Sequence, residues 1–165
     1  DDVVYSLKRW IDPATRSPVR WRAGPVEDIV AKDATTVEYR LTAPFSELLY
    51  QLTQSFAVVI DKANVDALGA DFGVRGFNGT GPYCWVDWRP RNDMRLKRHD
   101  AYRWGPPIYE NRGPAHIQEI VWRIVPEENT RLAAVLTGQS QATQYVPYSG
   151  MAQIRANRNL RIVDN

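Results

Sequence analysis

The sequence predicts a mixed α/β chain in which short strands pair as hairpins and amphipathic helices pack beside them. Three observations lead there. Val3, Val4, Leu7 and Trp10 recur at helical spacing, giving one apolar stripe. Val37, Tyr39 and Leu41 alternate with Glu38 and Arg40, the period of a half-buried strand. Eleven Pro and ten Gly in 165 residues punctuate the chain too often for a helical bundle. A hydrophobic content of 44% with 24% charged residues is that of a folded globular chain. Six Trp and eight Tyr bury too much area for disorder.

In order, a helix is expected from Asp1 to Trp10, with Asp1 and Asp2 at its positive end and Asp12-Pro13 after it. Strands Val26 to Lys32 and Val37 to Thr42 flank the turn Asp33-Ala34-Thr35-Thr36. A short helix follows from Phe45 to Thr53, with Leu48, Leu49 and Leu52 inward. The apolar run Phe56 to Ile60 reads as a strand covered on both faces. Asp61 caps a helix through Leu68, which Gly69 stops.

The stretch from Asn78 to Trp104 opens on a Gly-Thr-Gly-Pro turn whose glycines are expected to take angles closed to other residues. Strands Tyr83 to Trp88 and Met94 to Arg98 follow, and Cys84 is expected to be a small buried hydrophobe. Asp87 and Asp93 are expected on its solvated face. Ile117 to Val125 reads as a strand burying Ile117, Ile120, Trp122 and Ile124. Pro126 and Glu127-Glu128 open a helix to Thr137 with Leu132, Val135 and Leu136 inward, stopped by Gly138. A helix from Tyr148 to Asn157 and a strand from Leu160 to Val163 complete the chain.

Several of these segments together resemble one family. Asp1-Asp2-Val3-Val4-Tyr5-Ser6-Leu7-Lys8-Arg9 with Asp12-Pro13, then Gly79-Thr80-Gly81-Pro82-Tyr83, Trp88-Arg89-Pro90, Ala101-Tyr102-Arg103-Trp104-Gly105 and Arg131-Leu132-Ala133-Ala134-Val135-Leu136 occur in the order seen in extracytoplasmic solute-binding proteins. The likeness is to the group serving peptide, dipeptide and nickel ABC importers, family 5. Two departures are Phe77-Asn78, where the family usually has Pro-Val or Pro-Ile, and Gly138-Gln139-Ser140-Gln141, where it carries acids. The resemblance implies a type II periplasmic-binding-protein fold, with residues 1–165 forming a single partial domain from lobe I. Lobe II, the return of the chain and the usual N-terminal start are then expected outside this sequence.

It also implies capture of a peptide-like solute or nickel chelate in an inter-lobe cleft. Delivery to ABC permease subunits would follow, in a periplasmic or extracellular setting. The segment implied to border that cleft is Gln54, Ser55 and Phe56, two polar residues able to hydrogen-bond ahead of an apolar run. A receptor or interaction domain of the same fold, without transport, is the alternative. Cutting a lobe from its partner exposes strand edges, so self-association of the chain is expected.

Catalytic and metal chemistry find no set of residues in the sequence. His99 and His116 are seventeen apart without ligand spacing, and no nucleophile elbow or Walker motif appears. No cofactor and no metal is therefore expected, and the chain is not read as an enzyme. Seventeen of the 21 basic residues are Arg but scattered, and the net charge is only +2, so nucleic acid is not expected as a partner. Trp88, Tyr102 and Trp104 read as core rather than as ligand walls.

Overall fold

A computed structural model describes residues 1–163. Its chain divides into two compact units, one of Asp1–Trp88 with Arg95–Ile120, the other of Arg89–Met94 with Val121 onward. The elements are α1 (Asp2–Ile11), β1 (Val26–Ala31), β2 (Val37–Leu41), α2 (Leu48–Leu52), α3 (Lys62–Leu68), β3 (Tyr83–Arg89), β4 (Asp93–Arg98), β5 (Glu119–Arg123), α4 (Glu128–Leu136) and α5 (Met151–Ala156). They form two small antiparallel sheets, β1-β2 and β3-β4-β5, with helices alongside, the mixed α/β class that the sequence predicts.

In the first unit α1 buries Ser6, Leu7 and Trp10 against Ala23 and Ile29, and Val4, Tyr39, Leu52, Phe56 and Ala57 pack around that centre. The β1-β2 register pairs Ile29 with Tyr39 and Val30 with Glu38, and a bulge falls between Val26 and Asp28. Asp33 closes the hairpin by accepting the Thr35 and Thr36 amides at 2.8 Å, which holds its carboxyl below the usual range. Asp61 caps α3 by accepting the Ala63 and Asn64 amides, again with a lowered carboxyl pKa.

In the second unit Glu127 caps α4, accepting the Asn129 and Thr130 amides and the Thr130 hydroxyl. These bonds favour the carboxylate and pull its pKa to about 2. Leu132 and Val135 are the buried residues of that helix. Arg131 ties it down by donating to the carbonyls of Val125 (2.7 Å) and Tyr145 (3.2 Å).

Several elements differ from the sequence reading. Phe56 to Ile60 is not a strand: only Ile60 forms an isolated bridge, to Gly79. The α1 hydroxyl of Ser6 takes the place of a neighbouring strand, accepting the Ile60 amide at 2.9 Å. The helix expected from Phe45 shortens to α2; Leu52 packs on the core and Leu48 is half-buried as expected, but Gln51 takes the buried place, 2% exposed, and Leu49 is 77% exposed. Residues 160–163 form no strand, and the helix at Tyr148 starts as a 3-10 turn before α5.

Ile117, Trp122 and Ile124, expected inward, are exposed: Trp122 stands on an uncovered face of β5, and Ile117 and Ile124 lie outside that strand, on either side of it. Cys84 is exposed as well. Asp93 is buried and paired with Arg89 across the hairpin turn rather than solvated. Gly79 and Gly81 are absent from the left-handed residues; positive φ angles fall instead at Gly73 and Gly76 before them and at Arg91 in the hairpin turn. Tyr102 is buried as expected, whereas Trp104 is half exposed and donates its indole N–H to the Thr80 carbonyl at 2.7 Å. Among the described residues no helix is long and apolar enough to cross a membrane.

Candidate functional site

The segment carrying Gln54, Ser55 and Phe56 is a run of turns between α2 and α3. It is fixed from both ends. At its start the Gln54 amide donates to the Gln51 carbonyl (3.1 Å) and the Ala57 amide to the Gln54 carbonyl (3.0 Å), continuing α2 as tight turns. At its end Ser6 holds Ile60, and Asp2 accepts the Lys62 amide at 3.2 Å. Phe56 plugs the loop into the core, its ring tilted on Trp10 with centroids 5.3 Å apart. Ser55 stays exposed and Gln54 half-buried, its side-chain amide donating to the Thr53 hydroxyl at 3.2 Å.

A 3-10 turn, Arg20–Ala23, lies against this segment. The fully buried Ala23 anchors it, and its carbonyl accepts the Tyr39 hydroxyl at 2.8 Å. Burial pushes that phenol up to about 12, so it remains a donor. The Trp10 indole N–H holds the preceding Val19 carbonyl at 3.2 Å. Gly24 ends the turn at φ 77°, with the Phe45 ring packed on its backbone: a β-carbon there would sit 2.6 Å from Phe45 Cδ1. Glycine is required at this position on both counts.

Arg22 and Trp21 project from the turn so held. The Arg22 guanidinium lies over the Trp21 ring (4.6 Å to the centroid) and over the Phe56 ring (5.4 Å). Its Nη1 donates to Gln51 Oε1 at 3.4 Å, and Gln51 Nε2 donates to Glu47 at 3.1 Å. Arg22 Nε is buried with no hydrogen-bond partner among the described residues. Trp21 and Tyr50 are both more than 60% exposed beside this cluster, so the surface combines aromatic area with one cation and a polar loop. Such a combination suits orientation of a small polar solute rather than bond-making.

The structure thus brings two of the three sequence-predicted residues, Gln54 and Phe56, up against α2 and the Arg20–Ala23 turn, with Ser55 exposed between them. Sequence reasoning did not single out Arg22, Trp21 or Gln51, which the structure sets beside Phe56. Gln51 carried a signal, since Glu47 stands four residues before it on the helix. Nothing local pairs Arg22 with Gln51, 29 residues away. Two cavities lie elsewhere, in the second unit; the larger, about 960 Å³, is lined by residues such as Val135, Tyr145, Ile154 and Leu160. No group of three metal-ligating side chains occurs among the described residues.

Comparison with known proteins identifies the family. The family model described as bacterial extracellular solute-binding proteins, family 5 middle, matches residues 1–165. The chain belongs to that family. It is 31% identical over 161 residues to the glutathione-binding protein GsiB of Escherichia coli O1:K1, a match covering 98% of this chain and 30% of the relative. The chain therefore spans about a third of the length of the curated relatives it matches.

Among solved structures, the binding protein AgaA of A. tumefaciens R10, in complex with agropinic acid, superposes with a TM-score of 0.80 at 23% identity, over 95% of this chain and 30% of that one. A dipeptide-binding protein of Pseudoalteromonas sp. SM9913, in complex with Met-Leu, gives 0.78 at 22% identity, over 96% and 32%. These likenesses establish the periplasmic-binding-protein fold. Relatives of this family are solute-binding proteins of ABC importers rather than enzymes.

Proposed function

We propose that this chain is part of lobe I of a solute-binding protein that captures a small peptide-like solute or a nickel chelate in an inter-lobe cleft and hands it to ABC permease subunits. Family membership over the whole chain is the observation behind this reading. The work is done by hinged closure on the solute, without catalysis, cofactor or resident metal. Such a protein acts in the periplasm or outside the cell. The lobe I wall is formed by Gln54, Ser55 and Phe56, whose loop stands beside exposed Trp21 and Tyr50. On this reading Ser55 offers its hydroxyl, Gln54 its amide and Phe56 what its core packing leaves open of its ring.

The test is identification by mass spectrometry of small molecules that co-purify with the complete gene product. A thermal-shift panel of glutathione, Met-Leu, agropinic acid and a nickel chelate runs beside it. A retained solute, or a clear stabilisation by one member, supports the proposal and names the class. Failure of all of them would favour a receptor domain of the same fold. An isolated 165-residue chain would further self-associate through the edge strand β5, whose neighbours Ile117 and Ile124 are exposed; sedimentation at increasing concentration checks this.

A further inference from the structure

We propose that Arg22 is a recognition group for a carboxylate of the bound solute, a step that rests on the solute-binding reading above. Five arginines pair with acids: Arg40 with Glu38, Arg75 with Asp71, Arg89 with Asp93, Arg95 with Asp87 and Arg98 with Asp100. Arg22 and Arg131 instead each bury an Nε with no hydrogen-bond partner among the described residues, and Arg131 offsets this with bonds to three carbonyls. Arg22 forms no ion pair among the described residues, although its side chain is half-buried. A desolvated cation without a counter-charge is costly, which marks it for a partner that arrives later.

The surroundings hold the guanidinium ready. Trp21 and Phe56 rings lie 4.6 and 5.4 Å from its central carbon, an arrangement that restricts it and leaves its N–H donors in their own plane, away from the rings. One of the five donors is spent, on a long 3.4 Å bond to a neutral amide oxygen. The acid at the far end of this network, Glu47, forms no ion pair with it; its carboxylate accepts from Gln51 Nε2 at 3.1 Å. That bond turns Gln51 Oε1 toward Arg22 and fixes the amide's orientation.

Gln51 is 2% exposed, so the support is built into the core rather than adrift on the surface. A single planar fork carrying one positive charge matches one carboxylate, whereas a phosphate dianion calls for further cations. The exposed loop of Gln54 and Ser55 adjoins Phe56, so a solute held there has its acid group within the same patch.

The test uses the complete gene product with Arg22→Gln and Arg22→Lys, titrated calorimetrically with Met-Leu and with its C-terminal amide. The unmodified protein is expected to bind the acid about ten- to a hundred-fold more tightly than the amide, the range of a charge-assisted hydrogen bond. Arg22→Gln should bind both at the amide's level. Arg22→Lys should keep part of the preference, since it retains the charge but not the fork. Should Arg22→Gln melt well below the parent, the acid-to-amide ratio of Arg22→Lys decides. An unchanged ratio in the variants overturns the inference while leaving solute binding intact. Absence of any binding by the unmodified protein overturns the solute-binding reading for this class, and the inference with it.

Discussion

Removing one hydroxyl from α1 should loosen the candidate site without touching it. Ser6 is 6% exposed, and its Oγ accepts the amide of Ile60, itself 9% exposed, at 2.9 Å. Ser6→Ala leaves that N–H buried with no replacement, because the opposite side of Ile60 is occupied by its single bridge to Gly79. An orphaned buried donor costs about 1–3 kcal/mol, which corresponds to roughly 5- to 150-fold faster local opening. Hydrogen exchange of the peptide spanning residues 56–62, in the complete gene product, reads this directly. The expected outcome is faster exchange there, unchanged exchange in α4, and weaker binding of whatever solute the panel identifies. Exchange at parental rate for Ile60 would refute the claim that Ser6 substitutes for a strand neighbour.

Three further outcomes are expected. Gly24→Ala imposes a side chain at φ 77° and drives it into Phe45, so thermal melting should drop by several degrees, about 2 kcal/mol or more; a Gly24→Ala/Phe45→Ala pair should recover only the clash. Asp61→Ala removes the cap of α3 and should cost about 0.5–2 kcal/mol in denaturant titration, with Asp61→Asn close to neutral. Glu127 has a pKa depressed from 4.5 to about 2, so its stabilisation of α4 is complete above 4.5 and is lost as pH falls toward 2. A carboxyl NMR titration should show the low midpoint, and Glu127→Gln should flatten the acid limb of α4 unfolding.

Hairpins, caps and the N-terminal helix were legible because their causes are local. Asp33, Asp61 and Glu127 each bond amides two or three residues on, and Val37-Tyr39-Leu41 reads as a strand from its own period. The failures share a different cause. Phe56 to Ile60 is apolar enough for a buried strand, yet a strand needs neighbours, and this run has a serine from α1 and one bridge. Ile117, Trp122 and Ile124 have the composition of core residues, but composition does not reveal that β5 stops at Arg123 or that nothing covers Trp122.

The candidate site is illegible for that same reason, taken one step further. Gln54, Ser55 and Phe56 entered the sequence reading through a family resemblance, as a polar pair before an apolar run. Arg22 gave no such sign, being one of seventeen scattered arginines. What distinguishes it is its setting: a buried Nε with no acceptor among the described residues, on a guanidinium beside Phe56 and Gln51, the latter 29 positions away in sequence. A pairing defect of this kind exists only after the chain has folded, since any arginine can be paired on paper. Buried Gln51 then becomes intelligible as well. Its amide costs energy inside a leucine-rich helix unless both ends are bonded, and the Glu47–Gln51–Arg22 chain bonds both while leaving the cation's own charge unmatched.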